Sequence, residues 1–399
     1  MDDEDSERSS KEDRSTVYGT KKLRIGVKGY NKFVLRYHTR QPVRVELLPT
    51  HDPASVLSGL RQMFGLGTRK ATNFLEGIHV NPGWGSAEMY HLTNTVTISS
   101  KPWVVSFEHY LPRWNPSSDW GTALLARPQC RRIVAMSEYA LRTQESKLER
   151  HPRFAEAIRN KIVVLHPAQR ALIAPSQLPR RMFDKLRFAF VGSDFFRKGG
   201  REILLAFNDL LQEGAQVHLT IVSRLDFGDY ASQTTSEDAR WAQDMIHRLG
   251  TNVTYTPSLP NEKVLDLFLQ SHVSLLPTYH DTYGYALLES QAVGCPVIST
   301  SCCALPEING PAMGWMIQVP TDALGDPCMN TPEQRSALSR SIREGLYATI
   351  KEICCHPECI AVKGANALRN IIQNHDPVTI RDAIEGICIE AAHSGRAAR

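Results

Sequence analysis

The chain has 399 residues, of which 42% are hydrophobic and 22% charged, and its formal net charge is +4. That size and mix are those of a globular protein with two domains of ordinary size, and they exclude a low-complexity or fibrous chain. A net charge so close to balance makes no case for nucleic acid as a partner.

Met1 to Thr20 (MDDEDSERSSKEDRSTVYGT) is charged and poor in large apolar side chains, the composition of a disordered acidic tail. Leu23–Val27 (LRIGV) and Val43–Leu48 (VRVELL) read as strands, and Ser55–Phe64 as a helix. Thr95–Ile98 (TVTI) and Trp103–Phe107 (WVVSF) are rich in β-branched and aromatic residues, as strands are. Arg132–Met136 (RIVAM) reads as the next strand, Glu138–Glu149 as a helix and Lys161–Leu165 (KIVVL) as a strand. His166–Asp184 then carries Pro167, Pro175 and Pro179 with no period, and reads as the interdomain linker.

The alternation restarts after the linker. Strands are expected at Leu186–Val191, Val217–Val222, Val253–Thr256, Val273–Pro277 and Pro296–Thr300. Helices are expected at Gly200–Gln212, Ser236–Leu249, Asn261–Gln270 and Tyr285–Val293, and the chain beyond Pro332 reads as mostly helical. Strands that are apolar throughout, alternating with helices, predict a parallel sheet covered on both faces. Two such runs predict an α/β protein of two Rossmann-like domains, with ligands at the carboxyl ends of the strands.

Nine cysteines, an odd number without framework spacing, point to a reducing compartment. Cys295 and Cys388 stand in apolar runs, where cysteine behaves as a small hydrophobe. Cys354-Cys355-His356 and Cys359 lack a second ligand pair at finger-like spacing, so no metal site is expected. The N-terminus has no apolar signal core, and no stretch approaches the ~20 apolar residues of a membrane span. These features predict a cytoplasmic protein, at most peripheral to a membrane. Between Ala123 and Arg181 twelve Lys and Arg face four Glu, a local excess of +8. Such a basic first domain could meet an anionic membrane surface or acceptor. Solvated helix faces are the preferred explanation, since charge runs mostly solubilise.

Two segments carry the chemistry. In FAFVGSDFFRKGG a strand runs into a loop holding Gly192 and then Arg197-Lys198-Gly199-Gly200. Two adjacent cations at the carboxyl end of a strand can clamp a diphosphate, and the glycines let backbone approach it. An ordinary loop with a surface basic pair would read the same way. In LLPTYHDTYGYALLESQAVGCPVIS a polar loop with Asp281 leads into a helix that begins near Gly284 or Tyr285. Glu289 follows Asp281 by eight positions among Ala286, Leu287, Leu288, Ala292 and Val293. A carboxylate in so apolar a helix needs a partner, and it is a natural bidentate acceptor for ribose hydroxyls.

From Phe190 to Ile308 the chain resembles glycosyltransferase family 4, the retaining GT-B enzymes often labelled group 1. The resemblance rests on FVGSDFFRKGG, on LLPTYHDTYGYALLESQAVGCPVIST and on ALPEI at Ala304–Ile308. It implies that Lys198, with Arg197 and Gly192, holds the donor diphosphate, and that Glu289 binds the ribose. It also implies that Gly284, Tyr285 and Ala286 offer backbone donors, and that Asp281 lies near the transferred sugar. The first acid of the family signature is usually Glu, and many relatives carry Arg where this chain has Ser193, so Arg197 is expected to supply that charge. WVVSFEHYLPRW (Trp103–Trp114) is similar to the segment that presents a polar residue to the donor sugar, which makes Glu108 and His109 candidates. AMSEYA (Ala135–Ala140) resembles a strand ending in Ser-Glu, where Ser137 can also simply cap the following helix.

The resemblance implies two domains facing each other across a cleft. Residues 21–180 would be the acceptor domain, 181–375 the nucleotide-sugar donor domain, and 376–399 a helix returning to the first. The expected reaction is metal-independent, retaining transfer of a sugar from a UDP-, GDP- or ADP-sugar to an acceptor hydroxyl, with no other cofactor. In place of an Asp-x-Asp metal site, Arg197, Lys198 and a helix N-terminus would neutralise the leaving diphosphate. The alternatives are a non-catalytic nucleotide-sugar-binding scaffold and a sugar-nucleotide epimerase on the same fold. Nothing in the sequence names the acceptor.

Overall fold

The computed structural model describes residues 22–28, 43–49, 78–79, 86–109, 111, 119–179, 184–228 and 231–394. The acidic tail (1–20) and the expected helix at Ser55–Phe64 lie outside the described residues, as do parts of the linker and of the Trp103–Trp114 segment.

The first sheet has six parallel strands in the order β2-β1-β4-β6-β7-β8. These are β1 (Leu23–Lys28), β2 (Val45–Pro49), β4 (Met89–Thr93), β6 (Trp103–Phe107), β7 (Cys130–Ala135) and β8 (Ile162–Val164). β3 (Ile78–His79) and β5 (Val96–Thr97) pair separately as a two-stranded sheet. α1 (Trp120–Ala126) packs on β5 and β7, α2 (Glu138–Leu148) on β7 and β8, and α3 (Pro152–Arg159) on these two helices. Sequence reading missed β4, a central strand buried at every position, because MYHLT mixes a histidine and a threonine into a short run. The histidine is accommodated: His91 Nε2 meets Ser106 Oγ at 2.7 Å on the neighbouring strand.

The second sheet is also six-stranded and parallel, in the order β11-β10-β9-β12-β13-β14. Its strands are β9 (Leu186–Val191), β10 (Val217–Val222), β11 (Val253–Thr256), β12 (Val273–Leu276), β13 (Val297–Thr300) and β14 (Gly314–Ile317). The helices between them are α4 (Gly200–Gln212), α5 (Ser236–Leu249), α6 (Asn261–Gln270), α7 (Tyr285–Gln291) and α8 (Leu305–Ile308). β12 and β13 are buried at every position, which is why their sequences show no alternation. Edge-to-face aromatic pairs, Phe188 on Phe207 and Phe190 on Phe195, tie β9 to the helix and loop that follow it.

Among the described residues three helices follow: α9 (Pro332–Cys355), α10 (Cys359–Asn374) and α11 (Pro377–His393). α9 opens with a capping box on Thr331 and packs on α4 and β14. α11 leaves the second sheet and packs on β6 and β7 of the first. There the fully buried Glu385 carboxylate accepts the Val43 and Arg44 amides, each at 2.9 Å, and faces the Arg44 guanidinium.

Candidate functional site

The second sheet reverses its strand order between β9 and β12, its first and fourth strands. In open parallel sheets the loops that leave the carboxyl ends of two such strands diverge to opposite faces and open a crevice for ligand. Here those two loops are the two segments singled out in the sequence. They are also stapled to each other. Tyr279 N donates to Arg197 O at 2.8 Å, and Arg197 Nη1 donates to His280 O at 2.6 Å.

Lys198 crosses this crevice. Its Nζ meets Asp281 Oδ2 at 2.6 Å, with both side chains less than 15% exposed. Its stem lies over Gly192, where a Cβ would sit 2.4 Å from Lys198 Cδ. Gly192 thus leaves room for the lysine in this position. Gly199 has φ +79°, and a Cβ there would be 2.2 Å from the Pro277 carbonyl oxygen, so the two loops touch backbone to backbone. Gly284, with φ +90°, ends the second loop. Its amide donates to Asp281 Oδ1 at 3.2 Å, so this amide is engaged within the loop itself.

The remaining sequence candidates fall around this point. Arg197 binds Asp194 through Nε at 2.7 Å as well as the His280 carbonyl. Those contacts use two of its five N–H groups. Tyr285 and Ala286 open α7, and the Tyr285 hydroxyl reaches Met136 Sδ of the first domain at 3.3 Å. Glu289 is half-buried one turn further on, on the same helix face as Tyr285.

Glu108 and His109 follow β6 and both face the second domain. The Glu108 amide donates to Asn94 Oδ1 at 3.3 Å. The His109 ring stacks on Tyr139 at 5.1 Å and lies 5.3 Å from the His280 ring. The Tyr139 hydroxyl hydrogen-bonds His109 Nε2 at 2.7 Å and donates to Asp326 Oδ1. Ser137 caps α2 by accepting the Ala140 amide at 3.0 Å. From across the cleft, Glu307 accepts the Glu138 and Tyr139 amides at 2.9 and 2.6 Å.

Charge is arranged unevenly here. Burial alone would raise the Asp281 carboxyl, but Lys198, Arg197 and the Tyr283 amide outweigh it and hold it below the usual aspartate range. Burial, reinforced by the negative charge of Asp281, raises Glu108. Burial and then His280 push His109 down to about 4. For His280 burial works downward, but hydrogen bonding with Cys303 and the charges of Asp326 and Asp281 raise it. The crevice thus holds an ionised aspartate beside a lysine, with a neutral imidazole opposite.

Sequence reading missed Tyr139, His280, Glu307 and Asp326. His280 adjoins Asp281 and could have been flagged as a ring at a strand end. Tyr139 and Glu307 stand inside the AMSEYA and ALPEI segments but gain a role only when the domains meet, and Asp326 carries no local signal. Behind the loops, the buried Glu202 of α4 accepts the Tyr279 hydroxyl at 2.7 Å and the Ser339 hydroxyl at 2.6 Å. His356, singled out among the cysteines, pairs with Glu358 at 3.3 Å.

Residues 180–326, which hold both loops and the whole second sheet, match the family model "Glycosyl transferases group 1". The chain carries a group 1 glycosyl transferase domain. Among curated relatives, the D-inositol 3-phosphate glycosyltransferase of Streptomyces avermitilis is 25% identical over 228 residues, which cover 51% of this chain and 48% of the relative. The enzyme of the same name from Corynebacterium jeikeium is 26% identical over 131 residues, 32% of this chain and 30% of the relative. The chain thus spans about half or less of the length of these curated relatives.

Solved structures extend the likeness beyond the group 1 domain to nearly the full chain. A UDP-forming α,α-trehalose-phosphate synthase from Burkholderia xenovorans superposes with a TM-score of 0.60 at 11% identity, covering 93% of this chain and 100% of that one. Sucrose-phosphate synthase of Thermosynechococcus elongatus gives 0.57 at 14% identity, over 92% and 99%. Anabaena HepE in complex with UDP and glucose gives 0.55 at 13% identity, over 92% and 99%. At such identities the likeness concerns the fold: two Rossmann-like domains in the GT-B arrangement. No helix among the described residues is long and apolar enough to cross a membrane.

Proposed function

We propose that this protein transfers a sugar from a nucleoside-diphosphate sugar to an acceptor hydroxyl, with retention at the anomeric carbon and no metal ion in the transfer step. The observation that carries the proposal is Lys198 laid over Gly192 at the strand-order reversal, 2.6 Å from Asp281. A diphosphate entering the crevice meets a lysine already held in place, with Arg197 beside it. Both cations stand where negative charge grows as the leaving group departs, and such preorganised charge acts without reorganisation during the reaction. Lys198 then exchanges one anion, Asp281, for another.

In this proposal Glu289 accepts the ribose hydroxyls. Gly284, Tyr285 and Ala286 form the backbone wall at the phosphates. Asp281 lies beside the sugar and orients its hydroxyls. Glu108 and His109 face the same sugar from the first domain, and domain closure excludes water. UDP is the first donor base to try, because the HepE relative carries UDP and glucose. The basic surface of the first domain is a second matter: we propose peripheral contact with an anionic membrane only as a route to the acceptor.

The test is a panel of UDP-, GDP- and ADP-sugars with nucleotide release followed with and without acceptors. Release with one donor, reduced by about 10²- to 10³-fold in Lys198→Ala, is the expected result. Equal turnover in Lys198→Ala, or no binding of any donor, overturns the proposal. Binding without turnover favours the scaffold.

A further inference from the structure

We propose that His109, His280 and Asp326 form a binding site for a divalent transition-metal ion of the zinc class, and that the ion pins the two domains together across the cleft. One ligand atom from each of the three residues lies within 4.8 Å of the other two. Asp326 Oδ1 is 3.9 Å from His109 Nε2 and 4.0 Å from His280 Nε2. A tetrahedral ion with bonds of about 2.0–2.2 Å needs its ligand atoms roughly 3.4 Å apart. The two histidine–aspartate pairs therefore have to close by about half an ångström and the histidine–histidine pair by at most about 1.4 Å, within the reach of side-chain rotation.

The support is already built. The His280 carbonyl accepts from Arg197 Nη1 at 2.6 Å and its amide donates to Thr278 Oγ1 at 3.2 Å, so the residue is anchored on both sides. Asp326 ends a tight turn in which its amide donates to Asp322 Oδ1 at 3.0 Å and its carbonyl accepts from the Asp322 amide at 2.9 Å. His109 is stacked on Tyr139. The Tyr139 hydroxyl bridges His109 and Asp326 where the ion would enter, and becomes its fourth neighbour once the ion replaces that bridge.

The donor set selects the ion. Two imidazoles and one carboxylate suit zinc and its neighbours, whereas calcium and magnesium demand oxygen ligands. His109 comes from the first domain, and His280 and Asp326 come from the second. Binding would draw the cleft shut and hold His109 and His280 away from any sugar. The ion acts as a regulatory clip in the same cleft, on ligands other than Lys198 and Asp281.

The experiment uses the full chain, stripped with a chelator, with no nucleotide present. Zinc uptake is measured by competition with a chromophoric indicator, and cobalt substitution is followed by visible absorption. One ion per chain is expected, with a cobalt spectrum free of thiolate charge transfer. Asp326→Asn and His280→Gln should each weaken uptake at least about tenfold while far-ultraviolet circular dichroism stays unchanged. The combined Cys354→Ser, Cys355→Ser and Cys359→Ser variant should bind as the parent does. Lys198→Ala should also bind normally, which separates this result from the donor-site proposal. No uptake, uptake unaffected in both Asp326→Asn and His280→Gln, or uptake lost in the cysteine variant overturns the site.

Discussion

Lys198 and Asp281 hold each other in a largely covered crevice, so a substitution at either has two consequences that a second substitution can separate. Lys198→Ala leaves Asp281 without its cation, which for a buried pair costs about 3–5 kcal/mol. Lys198→Ala combined with Asp281→Asn should recover most of that stability in urea denaturation, yet still fail to bind a nucleotide sugar. If the double variant binds donor, Lys198 serves the fold alone. Glu202 offers a pH test at the same scale. Burial raises its carboxyl, against the lowering effect of the Ser339 and Tyr279 hydrogen bonds. The folded state therefore holds the proton more tightly than the unfolded chain. Stability from this group is complete below the ordinary glutamate range and is lost as pH rises through the higher folded value. Glu202→Gln should thus flatten the change of stability with pH, gaining on wild type as pH rises from the ordinary glutamate range through the higher folded value. Denaturant midpoints across that range decide it, and parallel curves for the two proteins count against it.

At the scale of elements, the second domain was almost fully legible in the sequence. β12 and β13 are buried at every position, so VSLL and VIST show no alternation of apolar and polar residues, and VSLL leads into a helix with buried Leu287 and Leu288. β14 escaped because Gly314 and Trp315 in a four-residue strand give no pattern. Gly314 is there for contact: a Cβ would sit 2.1 Å from Asn309 Oδ1. The first domain was less legible, since β4 hides His91 and Thr93 in its core and α1 and α3 are only seven and eight residues long. Of the candidate site, the two loops could be read locally, whereas the Tyr139, Glu307 and Asp326 contacts depend on residues more than 150 positions apart. The packing of α9 on β14 gives a test at this scale. A Cβ on Gly345 would meet the stiff, buried Ile317 side chain at 2.3 Å. Gly345→Val should cost roughly 1–3 kcal/mol by overpacking, with an unchanged denaturant slope. A loss below ~0.5 kcal/mol would mean that helix and sheet can slide apart freely.

For the whole molecule, the question is what holds two domains in register while leaving a cleft between them. Glu307 reaches from the second domain to the first two amides of α2, where a carboxylate also meets the positive end of the helix. Ser137 already caps that helix from within, so α2 does not need Glu307 in order to form. The Glu307 contact therefore serves the relation between domains. Glu307→Ala should leave helical content and melting temperature nearly unchanged and increase the radius of gyration seen by small-angle scattering. An identical scattering profile for both proteins would show that the contact does not govern the opening. Zinc, if it enters between His109, His280 and Asp326, should reduce that expansion in the same measurement.

The return of α11 to the first sheet has a consequence for how the protein is made. The backbone amides of Val43 and Arg44 find their acceptor in Glu385, a residue synthesised more than three hundred positions later. Domains commonly fold as they leave the ribosome, the N-terminal one first. Here the first domain to emerge is the last to be finished, and until Glu385 arrives two amides beside β2 lack their acceptor and the β6–β7 face lacks its covering helix. A ribosome stalled before α11 would present that unfinished face to chaperones, while the second sheet is already complete.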